Sequence, residues 1–204
     1  MNKRKICVVI NNRANYARIK SALTAIKKNK KLELQIVLGS SALLDRYGTV
    51  SDVIKKDGFK INRTVYTLVE GENLLTMSKS TGISIMEFST VFDDLNPDIV
   101  IVIADRYETL AAAIAASYMN ITLVHTQGGE TTGSIDESVR HATTKLAHIH
   151  FPASYKSKKN IIKMGENPNK VFLVGCPSLD LIKKNKLSLN TKFRNKYSNY
   201  GVGE

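Results

Sequence analysis

Short apolar runs recur along the chain, and each ends in a polar or small-residue turn. Residues 5–10 (KICVVI), 32–38 (LELQIVL), 99–103 (IVIVI) and 121–125 (ITLVH) read as strands. The run at 99–103 is apolar at every position, as expected for a parallel strand covered on both faces. Residues 60–68 read as a third, more polar strand, 148–151 as a short one and 171–174 (VFLV) as the last. Helical patterns lie between them. Ile19, Leu23 and Ile26 have helical spacing. Residues 50–56 predict a short helix stopped by a glycine cap at Gly58. Residues 73–95 predict a long helix, weakest at Gly82 and ending before Pro97. The alanines of 107–118 suit close packing on a sheet. Ser134-Ile-Asp-Glu137 has the form of a capping box, with Ser134 at the cap and Glu137 three residues on. The helix it opens is expected to bury Ile135, Val139, Ala142 and Leu146. Residues 155–164 and 177–184 complete the series. Strand and helix alternate about seven times without an internal repeat, which predicts a doubly wound, mainly parallel Rossmann-like α/β sheet.

Composition narrows this picture. A chain of 204 residues, 43% hydrophobic, is long enough for one well-buried core. No apolar run approaches the ~20 residues needed to cross a bilayer. The basic start precedes an apolar run too short for a signal peptide, so the reading is cytoplasmic, without a membrane partner. The two cysteines, Cys7 and Cys176, fit no zinc spacing and read as small apolar side chains. A net charge of +12 raises the question of nucleic acid. Lys27, Lys28, Lys30 and Lys31, however, crowd one helix end, where cations suit the helix dipole. Lys183, Lys184, Lys186, Lys192, Arg194 and Lys196 crowd a segment with no acid between Asp180 and Glu204. No aromatic stripe accompanies them, so the charge reads as a solvated basic face or as general attraction to anions such as nucleotides, and no nucleic-acid partner is expected.

The turn after the first strand, NNRANY, has no glycine, which rejects the dinucleotide fingerprint. Gly128-Gly129-Glu-Thr-Thr-Gly133 lacks the ending of a phosphate loop, and no motif supports a metal. What remains is a set of ionisable groups beyond the strand ends, where open α/β sheets bind ligands. Asp105 and Arg106 directly follow five apolar residues and so sit at the sheet's rim. Glu130 lies in the glycine-rich loop. Asp136 and Arg140 are four apart, which fits a routine helical ion pair. His125 ends an apolar strand. Asp105, Glu130 and Asp136 can share one cleft with Arg13, Arg106, Arg140 and His141. Neighbouring carboxylates with cations nearby can hold unequal pKa values, as one base and one acid require. The cations suit a phosphate or sugar-nucleotide leaving group. From the residues alone, the reading is acid/base chemistry on an anionic substrate.

The same residues carry a family resemblance. NRANY, LGS at 38–40, YG at 47–48, ADRYE at 104–108, HTQGGETTGSIDESVRHATTKLAHIHF at 125–151 and GCPSLD at 175–180 resemble the UDP-N-acetylglucosamine 2-epimerase family. The match runs in register from about residue 5 to about residue 185 and is closest to the hydrolysing branch. The resemblance implies two Rossmann-like domains in the GT-B arrangement, with a sugar nucleotide between them. Residues 1–185 would then be the N-terminal domain, and 186–204 a basic polar tail or a linker to a C-terminal domain. It implies no cofactor, UDP-N-acetylglucosamine or a related diacetamido sugar nucleotide as substrate, and a homo-oligomer at full length. The implied products are UDP and N-acetylmannosamine for sialic-acid-type sugars. The implied route is loss of the C2 proton, elimination of UDP to a 2-acetamidoglucal, then addition of water.

By motif position, Asp105 and Asp136 correspond to family carboxylates in acid/base work, and Arg140 to the arginine beside them. Arg13 and Arg106 correspond to contacts with nucleotide or phosphate. Glu130 corresponds to the acid of Gly-Gly-Glu in the hydrolysing branch, and Gln127 and His141 are expected to bind substrate. Many members carry a catalytic glutamate where this chain has Gln127, and a neutral amide is no base at pH 7. Either Glu130 takes that load or activity is reduced. Family members also run to nearly twice this length. Two alternatives stand beside the leading one: an inactive sugar-nucleotide-binding domain, and half of a GT-B glycosyltransferase.

Overall fold

The computed structural model describes residues 3–71 and 73–184; the tail or linker expected at 186–204 lies outside them. The strands are β1 (Arg4–Ile10), β2 (Leu32–Gly39), β3 (Arg63–Val65), β4 (Ile99–Ile103), β5 (Thr122–Thr126) and β6 (Ile149–Phe151). They form one sheet in the order β3-β2-β1-β4-β5-β6, with every pairing parallel. The helices are α1 (Arg13–Lys28), α2 (Val50–Lys56), α3 (Leu74–Leu95), α4 (Tyr107–Tyr118), α5 (Ile135–Leu146), α6 (Tyr155–Lys163) and α7 (Ser178–Lys184). The doubly wound reading therefore holds.

Two cores sandwich the sheet, as strand alternation requires. Cys7, Val9, Val37, Val100, Val102 and Leu123 face α3 and α4, meeting Phe88, Phe92 and the buried alanines 111–113, 115 and 116. Ile6, Val8, Ile10, Ile36, Leu38, Ile101 and Ile103 face the other way, onto Ile19 and Leu23 of α1 and Val50 and Ile54 of α2. Small side chains on α4 let it lie close to the sheet. Burial pushes the Cys7 thiol up to about 12, so it is an inert packing group. The helix ends have local causes. Asn12 caps α1 by accepting from the Asn15 amide at 2.8 Å. Asn73 and Thr76 bond reciprocally at the start of α3. Asn96, at φ 44°, turns the chain before Pro97. Gly82 does not interrupt α3.

Four local expectations need correction. The strand read at 60–68 is only Arg63–Val65. The Asn62 side chain accepts from the Ile36 amide at 3.0 Å, taking the place of a ladder carbonyl, and beyond it Tyr66 is 75% exposed. The run at 171–174 makes a single bridge, Val171 to His150, rather than a strand. The capping box at Ser134 does not close. Glu137 Oε2 instead accepts from the amides of Thr132 and Gly133, at 2.6 and 2.7 Å. These bonds hold its carboxyl below the usual range. Finally, α5 turns a different face inward. Arg140, Thr143 and Thr144 are buried, whereas Ile135 is 65% exposed, Ala142 is exposed, and Val139 and Leu146 are half-buried. Polar partners under the helix decide its rotation.

Candidate active site

In a 3-2-1-4-5-6 sheet the chain leaves β1 and β4 in opposite directions, and a crevice opens at their carboxyl ends. A cavity of about 890 Å³ occupies that place. Asn12, Asn15 and Arg18 line it after β1, Ser41 and Arg46 after β2, and Asp105, Arg106, Tyr107 and Glu108 after β4. Beyond β3, Leu68, Val69 and Glu70, with Asn73, Thr76, Met77 and Ser80 at the start of α3, form the far wall.

Three strands end in sharp turns on this side. Ser40, Ala104 and Gln127 all adopt left-handed backbone, at φ 52°, 61° and 60°. Such conformations cost of order 1 kcal/mol or more in a non-glycine residue and persist only when their surroundings fix them. At Ala104 the fixing group is His125. A carbonyl can only accept, so His125 Nε2 carries the proton and donates to Ala104 O at 2.8 Å. Nδ1 then accepts from Thr144 Oγ1 at 3.1 Å. Complete burial lowers the His125 pKa to about 4, with a smaller push from His150 against the opposing bond to Ala104. His125 is thus a neutral strut.

The next residue, Asp105, carries its carboxylate at the cavity edge, its side chain 23% exposed. Arg140 reaches it from beneath. Its guanidinium, 2% exposed, donates through one nitrogen to Asp105 Oδ2 and through another to the Glu130 carbonyl at 2.7 Å. Burial, and then the charge of Arg18, pull its pKa down from the ordinary arginine value. The helical ion pair read between Asp136 and Arg140 is not formed, because Asp105 has taken the guanidinium. The Gly-Gly turn makes this reach possible. A Cβ on Gly128 would lie 2.8 Å from Thr144 Oγ1, and one on Gly129 (φ 79°) would lie 2.3 Å from Ser157 O. Asn160 Nδ2 then donates to Gly129 O at 2.9 Å.

The structure therefore joins Asp105, Arg140 and the backbone of Glu130, and puts Arg106 on the cavity wall. The carboxylate of Glu130 is exposed in its loop. Asp136 is half-buried in the first turn of α5. His141 is half-buried, its Nε2 without a hydrogen-bond partner. Arg13, the first residue of α1, is exposed and lies against Gly48; it is not one of the lining residues, although Asn12 and Ala14 on either side of it are. Gln127 is buried, and its Oε1 accepts from Arg18 at 3.1 Å. Sequence reasoning missed Arg18 and Glu108. Arg18 looks like an ordinary exposed base on α1, and only its place two residues past the NNRANY turn hinted at the rim. Glu108 closes the ADRYE motif, and an acid in a first helical turn carries no local signal of a site.

The model of the UDP-N-acetylglucosamine 2-epimerase family matches residues 24–202. The chain belongs to this family. It is 38% identical over 194 residues to UDP-N,N'-diacetylbacillosamine 2-epimerase (hydrolyzing) of Legionella pneumophila, covering 95% of this chain and 52% of that protein. It is 37% identical over 193 residues to GDP/UDP-N,N'-diacetylbacillosamine 2-epimerase (hydrolyzing) of Campylobacter jejuni, covering 94% and 50%. The fold is that of the solved UDP-GlcNAc 2-epimerase from Neisseria meningitidis bound to UDP-GlcNAc, with TM-score 0.78 and 20% identity over 96% of this chain and 53% of that one. The chain thus spans about half the length of the relatives it matches. Among the described residues, no helix is long and apolar enough to cross a membrane.

Proposed function

We propose that this chain carries one wall of the active site of a hydrolysing UDP-sugar 2-epimerase, cytoplasmic, acting on UDP-N-acetylglucosamine or a diacetamido relative. The observation that carries the reading is the Asp105 carboxylate, held at the cavity edge by the buried Arg140. A carboxylate pinned at a cavity edge is suited to moving a proton on a bound ligand. In the proposed reaction a carboxylate takes the proton from C2. The C1–O bond breaks, its electron pair leaves with UDP, and a C1–C2 double bond forms. Water then gives its hydroxyl to C1, and C2 gains a proton on the opposite face. Asp105 and Asp136 are assigned the proton steps, and Glu130 stands in for the acid that Gln127 lacks. Arg18 and Arg106 supply positive charge for the diphosphate. The two relatives above 35% identity, both named as hydrolysing enzymes for a diacetamido sugar, support that substrate class. Supply of sialic-acid-type sugars is one use of the product.

The test joins this chain to the remaining half of the Legionella relative and follows UDP and free sugar from both sugar nucleotides. Release of UDP with the 2-epimeric free sugar is expected, with Asp105→Asn lowering turnover at least ~100-fold. Unchanged turnover in that variant would remove Asp105 from the mechanism. A second reading, a sugar-nucleotide-binding domain without activity, draws on Gln127, whose amide is tied to Arg18. It predicts binding without UDP release in the joined protein as well.

A further inference from the structure

Glu108 stands in the first turn of α4, on the cavity wall. Its side chain is 3% exposed. Oε1 accepts from Ser40 Oγ at 2.6 Å. Oε2 is buried and has no hydrogen-bond partner. The Arg106 Nε atom lies 3.6 Å from Oε2, too long for a hydrogen bond. An ionised carboxylate offers about four acceptor positions, and burying one with positions unfilled is costly. The helix dipole favours an acid in a first turn, but it does not require that the acid be buried. The arrangement is also built rather than incidental. Ser40, whose hydroxyl orients Glu108, is itself held at φ 52°. Tyr107 completes the corner, its phenol pushed up to about 12 by burial, then by the charge of Glu108 and by the pull of that carboxylate on the phenol proton, against the charge of Arg106.

We propose that Glu108 is a specificity-determining residue: its Oε2 accepts a hydrogen bond from an amide N–H or a hydroxyl on the sugar of a bound sugar nucleotide. The assignment rests on the function proposed above and deepens it. The chemistry selects the sugar end of such a ligand. A phosphate would be repelled by the carboxylate, and phosphates have Arg18 on the same wall. A second cation is not called for, because Arg106 already faces Oε2. A neutral donor fills the vacant acceptor without adding charge. An analogue lacking that donor would leave the oxygen unsatisfied, which is how buried polar groups discriminate most strongly.

The experiment titrates this chain with UDP, UDP-N-acetylglucosamine and UDP-N,N'-diacetylbacillosamine, following protein amide shifts by NMR. Two variants are compared with the wild type. Glu108→Gln keeps an acceptor for Ser40 and replaces the other oxygen by a donor. Glu108→Asp keeps the charge and withdraws it by one methylene. Both are expected to weaken at least one sugar nucleotide relative to UDP, Glu108→Gln by roughly 10- to 100-fold, with smaller loss for Glu108→Asp. Equal affinities in Glu108→Gln and wild type would overturn the assignment. Parallel loss of UDP and sugar nucleotides would also overturn it, because Glu108 would then act on the phosphate end. If neither variant folds by thermal melting, Glu108 is a structural support and the assignment falls. If the wild type binds no sugar nucleotide even when joined to the second half, the function proposed above fails as well, a result distinct from all of these.

Discussion

The two halves of the sheet's carboxyl rim are built on opposite plans. Beyond β5 the chain is tied down almost atom by atom. Arg140 holds Asp105 and the Glu130 carbonyl, His125 holds Ala104, Asn160 holds Gly129, and Glu137 closes on Thr132 and Gly133. Beyond β1 and β2 the rim opens into the cavity, where Glu108 keeps an unfilled acceptor. Each half also keeps buried polar atoms without a partner, Arg140 Nε and His141 Nε2 in the first and Asn11 Oδ1 and Glu108 Oε2 in the second. Position at a strand end therefore does not by itself separate the groups that build the rim from those left over for a ligand. Preorganised sites need both kinds, one rigid wall to fix the geometry and one with capacity to spare.

This contrast can be broken from the rigid side first. Gly129→Ala drives a methyl onto Ser157 O from a backbone that disfavours side chains. It is expected to cost about 5 kcal/mol, enough to unfold a marginal domain. Gly82→Ala, on an exposed turn of α3 with nothing within 4 Å, should stabilise by about 1 kcal/mol. Urea denaturation of both variants checks the pair, and equal effects would deny the rigidity of the glycine loop.

Arg140→Met keeps bulk but removes both donations. A buried ion pair broken from one side costs about 4 kcal/mol. If the melting temperature stayed within a degree or two of wild type, the guanidinium would not be the strut described here. A smaller loss than that of Arg140→Met is expected from pH. The His125 value of about 4 in the folded chain lies below the ordinary 6.5. Between those values only the unfolded chain takes up the proton. Stability should therefore fall, by up to about 3 kcal/mol, as pH drops from 6.5 toward 4, and His125 should contribute no slope above 6.5. His150, lowered in the same direction, adds to the slope. Denaturation between pH 4 and 8 reads it, and His125→Gln should flatten part of it.

The strands and most helices were legible because they rest on periods that water enforces. Five apolar residues in a row at 99–103, and Ile19, Leu23 and Ile26 at helical spacing, have few other interpretations. Asp105 and Arg106 were legible as rim residues for the same reason. The rotation of α5 was not. Its hydropathy favoured Ile135 and Ala142 as the inner face, but Asp105, the Glu130 carbonyl and His125 draw Arg140 and Thr144 inward. Those partners are remote in the chain and carry no local periodic signal. Glu108 was missed because a first-turn acid looks the same whether its second oxygen meets water or a closed cavity. Burial and an orphaned oxygen are properties of the assembled fold.

The position of β1 has a consequence for how the molecule assembles. β1 lies between β2 and β4, and the Lys5 amide bonds to Asp98, 93 residues away. The partnership of β1 with β2 needs only the short loop through α1 and can form early in synthesis. The second edge of β1 stays open until β4 has been made, and closing so long a loop is slow. During that interval a strand with the apolar sequence CVVI has an unpaired side, the condition under which chains pair with the wrong neighbour. The cavity comes into being at the same step, since its walls lie on either side of that last closure. Newly made chains should therefore gain ligand affinity and lose their tendency to aggregate together.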